Sequence, residues 1–176
     1  MNEYLPVIYL SVLVVLLGVS AVFLLRQVIK TRRTENTFNN LQKKLKQEKG
    51  TAKEYYELGS LYLDKKLFVQ SINLFEKALK MDKEVEPGNK ALIYNALGYA
   101  YFSQEQYDLA IRQYKEALKY CPDYVTALNN LANIYEKKQL TSKALETYEE
   151  ALKYEPNNGT AKRRTESLRK RIVSSK

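Results

Sequence analysis

The 176-residue sequence predicts an all-α protein: an N-terminal transmembrane helix, then a solenoid of three helix pairs closed by a C-terminal capping helix. Two observations predict it. First, the apolar run Tyr4–Leu25 contains no Asp, Glu, Lys or Arg. Second, a set of small and aromatic residues returns at one fixed interval: Tyr94, Leu97, Gly98, Tyr101, Ala110, Tyr114, Ala117 and Pro122 are matched by Leu128, Leu131, Ala132, Tyr135, Ala144, Tyr148, Ala151 and Pro156. An earlier copy reads Tyr55, Leu58, Gly59, Tyr62, Ser71, Phe75 and Ala78. A repeat of about 34 residues is one helix pair that cannot bury its apolar face alone and must stack on its neighbours.

Residues 1–26 are expected to be the anchor with a short N-terminus. At about 1.5 Å per residue the apolar run is roughly 33 Å long, enough for a hydrocarbon core of ~30 Å. Pro6 falls in the first turn, where it removes no needed hydrogen bond. A cleaved signal peptide fits poorly, because only Glu3 precedes the run as a charged side chain and no Ala-x-Ala site precedes the basic flank. Arg26, Lys30, Arg32 and Arg33 follow at once, so the positive-inside rule keeps the C-terminal side cytoplasmic, or stromal in a plastid.

Residues 27–51 are expected to be a basic juxtamembrane linker helix. No Gly or Pro interrupts residues 19–49, so the anchor is expected to run on into it. Phe38, Leu41 and Leu45 share one face, which favours packing over a free stalk. Gly50 breaks the pattern and Thr51 is placed to cap the next helix.

The three repeats occupy residues 52–158. Their helices are predicted near 52–65, 68–81, 90–103, 107–120, 124–137 and 141–154. Gly98, Ala110, Ala132 and Ala144 are small where helices cross closely, and Pro122 and Pro156 stop the second helix of their repeats. The first repeat has Lys83 in the proline's place. The second repeat starts later than the common interval allows, and the surplus around residues 84–89 includes the turn signal Pro87-Gly88. Residues 159–176 are predicted to be a basic capping helix and tail, begun by Asn157-Asn158 and spanning about 159–172. Its few apolar residues suit a solvent-facing end.

Composition narrows the function. There is no histidine, which removes the commonest general base and metal ligand. The single cysteine, Cys121, precedes Pro122 and reads as a small apolar turn residue. No Gly-rich phosphate loop is present. The chain is therefore read as a non-enzyme without a cofactor or metal. The net charge of +9 is uneven: residues 26–53 carry +7, residues 54–158 carry −3 and residues 159–176 carry +6. The first basic segment suits anionic lipid headgroups. The basic C-terminus reads first as a solvated capping helix, with acidic proteins or lipid as other partners. Nucleic acid is not expected, because no recognised nucleic-acid motif accompanies the charge.

The repeating pattern resembles the tetratricopeptide repeat (TPR). In that fold the first helix of each pair lines a concave face that grips protein segments. The resemblance places Lys53, Tyr56, Ser60 and Leu63 of the first repeat on that face. Leu92, Asn95, Tyr99 and Phe102 follow in the second, and Thr126, Asn129, Asn133 and Glu136 in the third. The candidate partner-binding groove is Lys53, Tyr56, Ser60, Asn95, Tyr99, Phe102, Asn129, Asn133 and Glu136. Asn95 and Asn129 hold equivalent places in consecutive repeats. They are expected to stack in register and offer donors and acceptors to a partner's peptide bonds. TPR co-chaperones hold a carboxylate with Lys, Asn and Arg at places that here are Tyr56, Ser60, Ala96, Thr126 and Asn130. None of these is basic, so that clamp is absent.

As a whole, one anchor, a basic flank and three repeats in a lysine-rich chain of this length resembles the membrane-anchored TPR photosystem I assembly proteins of plastids and cyanobacteria. That resemblance implies a single-pass thylakoid protein with its repeats on the stromal or cytoplasmic side. It would bind photosystem I subunits as a scaffold that assists assembly or stability. A bacterial inner-membrane TPR scaffold for envelope or secretion machinery is the alternative, and a lipid-bound organiser with an unused groove is a third reading.

Overall fold

The computed structural model describes residues 4–81 and 85–174, and the chain divides into two compact units, residues 1–47 and 48–176. Lys83 and the first residue of the surplus lie outside the described residues.

In the first unit the described residues form one uninterrupted helix, α1 (Leu5–Gln47), which takes in the predicted anchor and the predicted linker as far as Gln47. The side chains of its apolar run are exposed: Val14, Leu17 and Phe23 are 61%, 61% and 68% exposed. Such a continuous apolar surface is costly in water. A helix also satisfies its own backbone groups, as a lipid environment demands. Ser20 completes that by donating its hydroxyl to the Leu16 carbonyl at 2.8 Å. Among the described residues α1 is the one helix long and apolar enough to cross a membrane.

The described residues of the second unit form α2 (Ala52–Asp64), α3 (Phe68–Lys80), α4 (Pro87–Ser103), α5 (Tyr107–Tyr120), α6 (Val125–Lys137), α7 (Thr141–Tyr154) and α8 (Gly159–Ser174). Thr51 starts α2 with a reciprocal cap: its hydroxyl accepts from the Glu54 N–H, and the Glu54 carboxylate accepts from the Thr51 N–H at 3.0 Å. One boundary departs from expectation. Helix α4 starts at Pro87 rather than at the predicted Lys90, because proline's missing N–H is harmless at the first helical position and its φ already suits a helix. The Pro87-Gly88 signal therefore opens a helix rather than forming a loop. The turn within each pair is built alike. Lys66, Glu105 and Gln139 all sit in the left-handed region, at φ 60°, 59° and 59°, which ends the first helix and reverses the chain within a short span.

Aromatic rings fill the crossings between paired helices. A Cβ built on Gly59 would lie 2.8 Å from the Phe75 ring, and one on Gly98 would lie 2.8 Å from the Tyr114 ring. Ala132 occupies the same place opposite the buried Tyr148. Between pairs, a second seam recurs at the repeat interval: Ile93, Leu97 and Ala100, then Ala127, Leu131 and Ile134, then Ala161, Thr165 and Leu168 are all buried. Helix α8 thus packs as the first helix of a fourth repeat. At the crossing position, after Gly98 and Ala132, α8 carries the exposed Glu166. A carboxylate there opposes the close approach of a second helix.

Candidate partner-binding groove

The predicted groove residues fall on the same face of α2, α4 and α6, the first helix of each pair. Their exposure varies along the stack. Lys53, Leu92, Tyr99 and Thr126 are exposed, whereas Tyr56, Ser60, Leu63, Asn95, Phe102, Asn129, Asn133 and Glu136 are half-buried. Tyr99 is 47% exposed, a large aromatic surface for a folded domain.

At the N-terminal end lies a cavity of about 350 Å³ lined by Ala52, Lys53, Tyr56, Val85, Asn89, Leu92 and Ile93. Tyr56 is held there by an inclined contact with Phe75, ring centroids 5.8 Å apart. Ser60 turns its hydroxyl back onto the Tyr56 carbonyl at 2.9 Å, so it contributes a methylene rather than a free donor. Val85 and Asn89 belong to the surplus between the first two repeats, so the longer connection builds one wall of the cavity.

Tyrosine hydroxyls gather in the middle of the stack. Burial pushes the Tyr114 phenol far above its ordinary range, and the neighbouring Tyr99 and Tyr124 push it further. Tyr124 is itself raised, first by burial and then by Tyr56 and Cys121. Tyr124 was not legible as a site residue in the sequence. It stands at the cap of α6, outside the helical periodicity that identifies the other positions.

Asn95 and Asn129 are both hydrogen-bonded within the stack. The Asn130 amide donates to Asn95 Oδ1 at 3.1 Å, and the Asn129 amide donates to Asn158 Oδ1 at 3.3 Å. Asn95 and Asn129 are equivalent positions, but each bonds a different asparagine across a step between repeats, not its own counterpart. Asn158 also caps α8, accepting from the Ala161 N–H at 2.9 Å. Asn129 is therefore tied to the start of the terminal helix. Glu136 is likewise engaged: its carboxylate takes both Nε and a terminal nitrogen of Arg164, and it lies against the Tyr148 hydroxyl. The Arg164 guanidinium is pushed up from its ordinary value chiefly by that hydrogen bond. The Glu136 side chain is only 7% exposed, which leaves it little surface to offer a ligand. Asn133 and Tyr99 make no hydrogen bond or ion pair within the described residues.

No group of His, Cys, Asp and Glu among the described residues is arranged to hold a metal ion. Cys121 donates its thiol to Asp123 Oδ1 at 3.0 Å, and this bond, then burial, raises its pKa, the reverse of what a reactive thiolate needs.

Tetratricopeptide-repeat profiles match residues 52–85 and 125–158, and a further TPR profile matches residues 98–139. The ycf37 protein of Cyanophora paradoxa is 41% identical over 151 residues, spanning 86% of this chain and 87% of that one. The chain belongs to the ycf37 family of TPR proteins. This ycf37-family chain is also 36% identical to the chloroplastic TPR protein PYG7 of Arabidopsis thaliana, over 93% of its own length and 54% of that protein's. Among solved structures, MamA superposes with a TM-score of 0.71 at 22% identity, covering 81% of this chain and 83% of MamA. That likeness bears on the fold alone, a TPR stack.

Proposed function

We propose that this ycf37-family chain is a membrane-anchored scaffold that grips a protein segment in the groove of α2, α4 and α6 and assists assembly or stability of photosystem I. Its place would be the plastid or cyanobacterial thylakoid, with the repeats on the stromal or cytoplasmic side. The observation that carries the reading is the uncommitted pair Tyr99 and Asn133 on the concave-type face of a TPR stack, in a family with a chloroplastic relative. Aromatic surface of this kind supplies apolar area with a polar tip, and the amide supplies a donor and an acceptor for a backbone. The apolar helix α1 supports the anchored part. Anchoring raises the effective concentration of groove and partner without any further contact. The plastid relatives favour this reading over a bacterial envelope scaffold.

The double change Tyr99→Ala with Asn133→Ala tests it, since neither side chain is committed to the stack. Cells carrying it are expected to accumulate less photosystem I, read from P700 absorbance, while photosystem II stays near normal. A folded, membrane-inserted variant with wild-type photosystem I and wild-type partner recovery in pull-downs would sink the proposal.

A further inference from the structure

We infer that α8 is the cationic end of the groove, and that the partner segment is acidic where it crosses α8 and apolar where it meets α2 and α4. This rests on the groove reading above. Helix α8 repeats the buried seam of α4 and α6, so its remaining positions continue their faces. Arg163 follows Asn95 and Asn129 at the repeat interval, and Lys170 follows Phe102 and Glu136. Both cations are exposed and have no carboxylate partner among the described residues, whereas the neighbouring Arg164 and Arg169 are held by Glu136 and Glu149. The Arg164–Glu136 pair also fixes α8 against α6, which holds Arg163 in line with the groove.

The face therefore changes character along its length. Tyr56, Leu92 and the cavity beside them stand at one end, Asn130 and Asn133 in the middle, and Arg163 with Lys170 at the other. A segment of uniform composition would match one end and be penalised at the other, because an unpaired charge or an uncovered apolar surface is unfavourable there. Carboxylates on an extended or helical segment complement two free cations. Apolar side chains complement the Val85, Leu92 and Ile93 part of a cavity of about 350 Å³ that Lys53 and Asn89 also line.

The test uses the full chain in nanodiscs of zwitterionic lipid. The probe is a labelled peptide of about 12 residues, roughly 40 Å when extended, with Leu and Tyr in one half and Glu in the other. A photo-crosslinker sits at either end. The Glu end is expected to label α8 and the apolar end α2 or α4. Arg163→Glu with Lys170→Glu should weaken binding on the order of tenfold or more, and replacing the peptide's Glu by Gln should abolish that difference. Three results overturn the inference: crosslinks in the opposite order, equal affinity for the charge-reversed variant, or a charge reversal that weakens only binding to phosphatidylglycerol vesicles. If Tyr99→Ala lowers peptide binding while charge reversal does not, the groove stands and its cationic end falls. If neither change has an effect, both fall.

Discussion

Asn129 donates its side-chain amide to Asn158, and Asn158 caps α8. The third repeat and the terminal helix are thereby joined through one hydrogen-bonded chain. Removing the Asn129 amide leaves Asn158 one bond short and loosens the start of α8. Asn129→Ala is expected to cost roughly 1 kcal/mol, with faster amide exchange confined to α8. Asn133→Ala, one helical turn on, should leave both stability and exchange unchanged. Uniform exchange in the Asn129 variant would show that the cap does not depend on this bond.

The contact of Gly98 with the Tyr114 ring predicts a steric effect. Gly98→Leu must push a buried ring whose edge is already 2.8 Å from the first added carbon. A loss of roughly 1–3 kcal/mol is expected in thermal or urea unfolding. Gly88 has no heavy atom within 4 Å of such a carbon, so Gly88→Ala serves as the control and should not destabilise the stack.

Stability is expected to fall in alkali. Tyr114 and Tyr148 have phenol pKa values raised by burial from an ordinary 10.0, so the folded chain holds these protons more tightly than the unfolded chain. Their contribution is complete below the unfolded value and is lost as pH rises towards the folded one. Unfolding monitored by circular dichroism should begin above about pH 10, together with phenolate absorbance. Tyr114→Phe should shift the onset upward, and an onset identical to wild type would assign alkaline unfolding to other groups.

The orientation of the anchor has its own test. By the positive-inside rule, the four cations after the apolar run predict that the repeats lie on the cytoplasmic or stromal side. Protease added to sealed right-side-out vesicles should spare the repeats, and inverted vesicles or broken thylakoids should lose them. Protection in the second preparation would reverse the topology.

The repeats were legible because residue size is dictated where helices cross: Gly59, Gly98 and Ala132 can be read without coordinates. Burial patterns along α5 and α7 were equally plain, and both helices end where the following proline requires. The site was less legible. Periodicity gives the face on which Asn95, Asn129 and Glu136 lie, but not the partner each side chain finds across a repeat boundary. Asn129 looked like a ligand residue and serves a cap, and Glu136 looked open and is closed by Arg164. Both partners come from the last repeat step, where the sequence pattern is weakest. The wall contributed by Val85 and Asn89 arises from a departure in repeat length, which a periodic reading registers only as a gap.

The matched turns at Lys66, Glu105 and Gln139 have a consequence for how the stack comes together. Each fixes its own hairpin through bonds of short span, as in Leu67 N–H to Tyr62 O and Leu140 N–H to Tyr135 O. Helices pair with those beside them in the chain, so little loop entropy is lost before packing begins. A hairpin can therefore form as soon as its residues leave the ribosome, with α1 already made and later repeats still unsynthesised. The stack would be usable from α2 outward, and the cationic helix α8 would arrive after the three pairs it closes on.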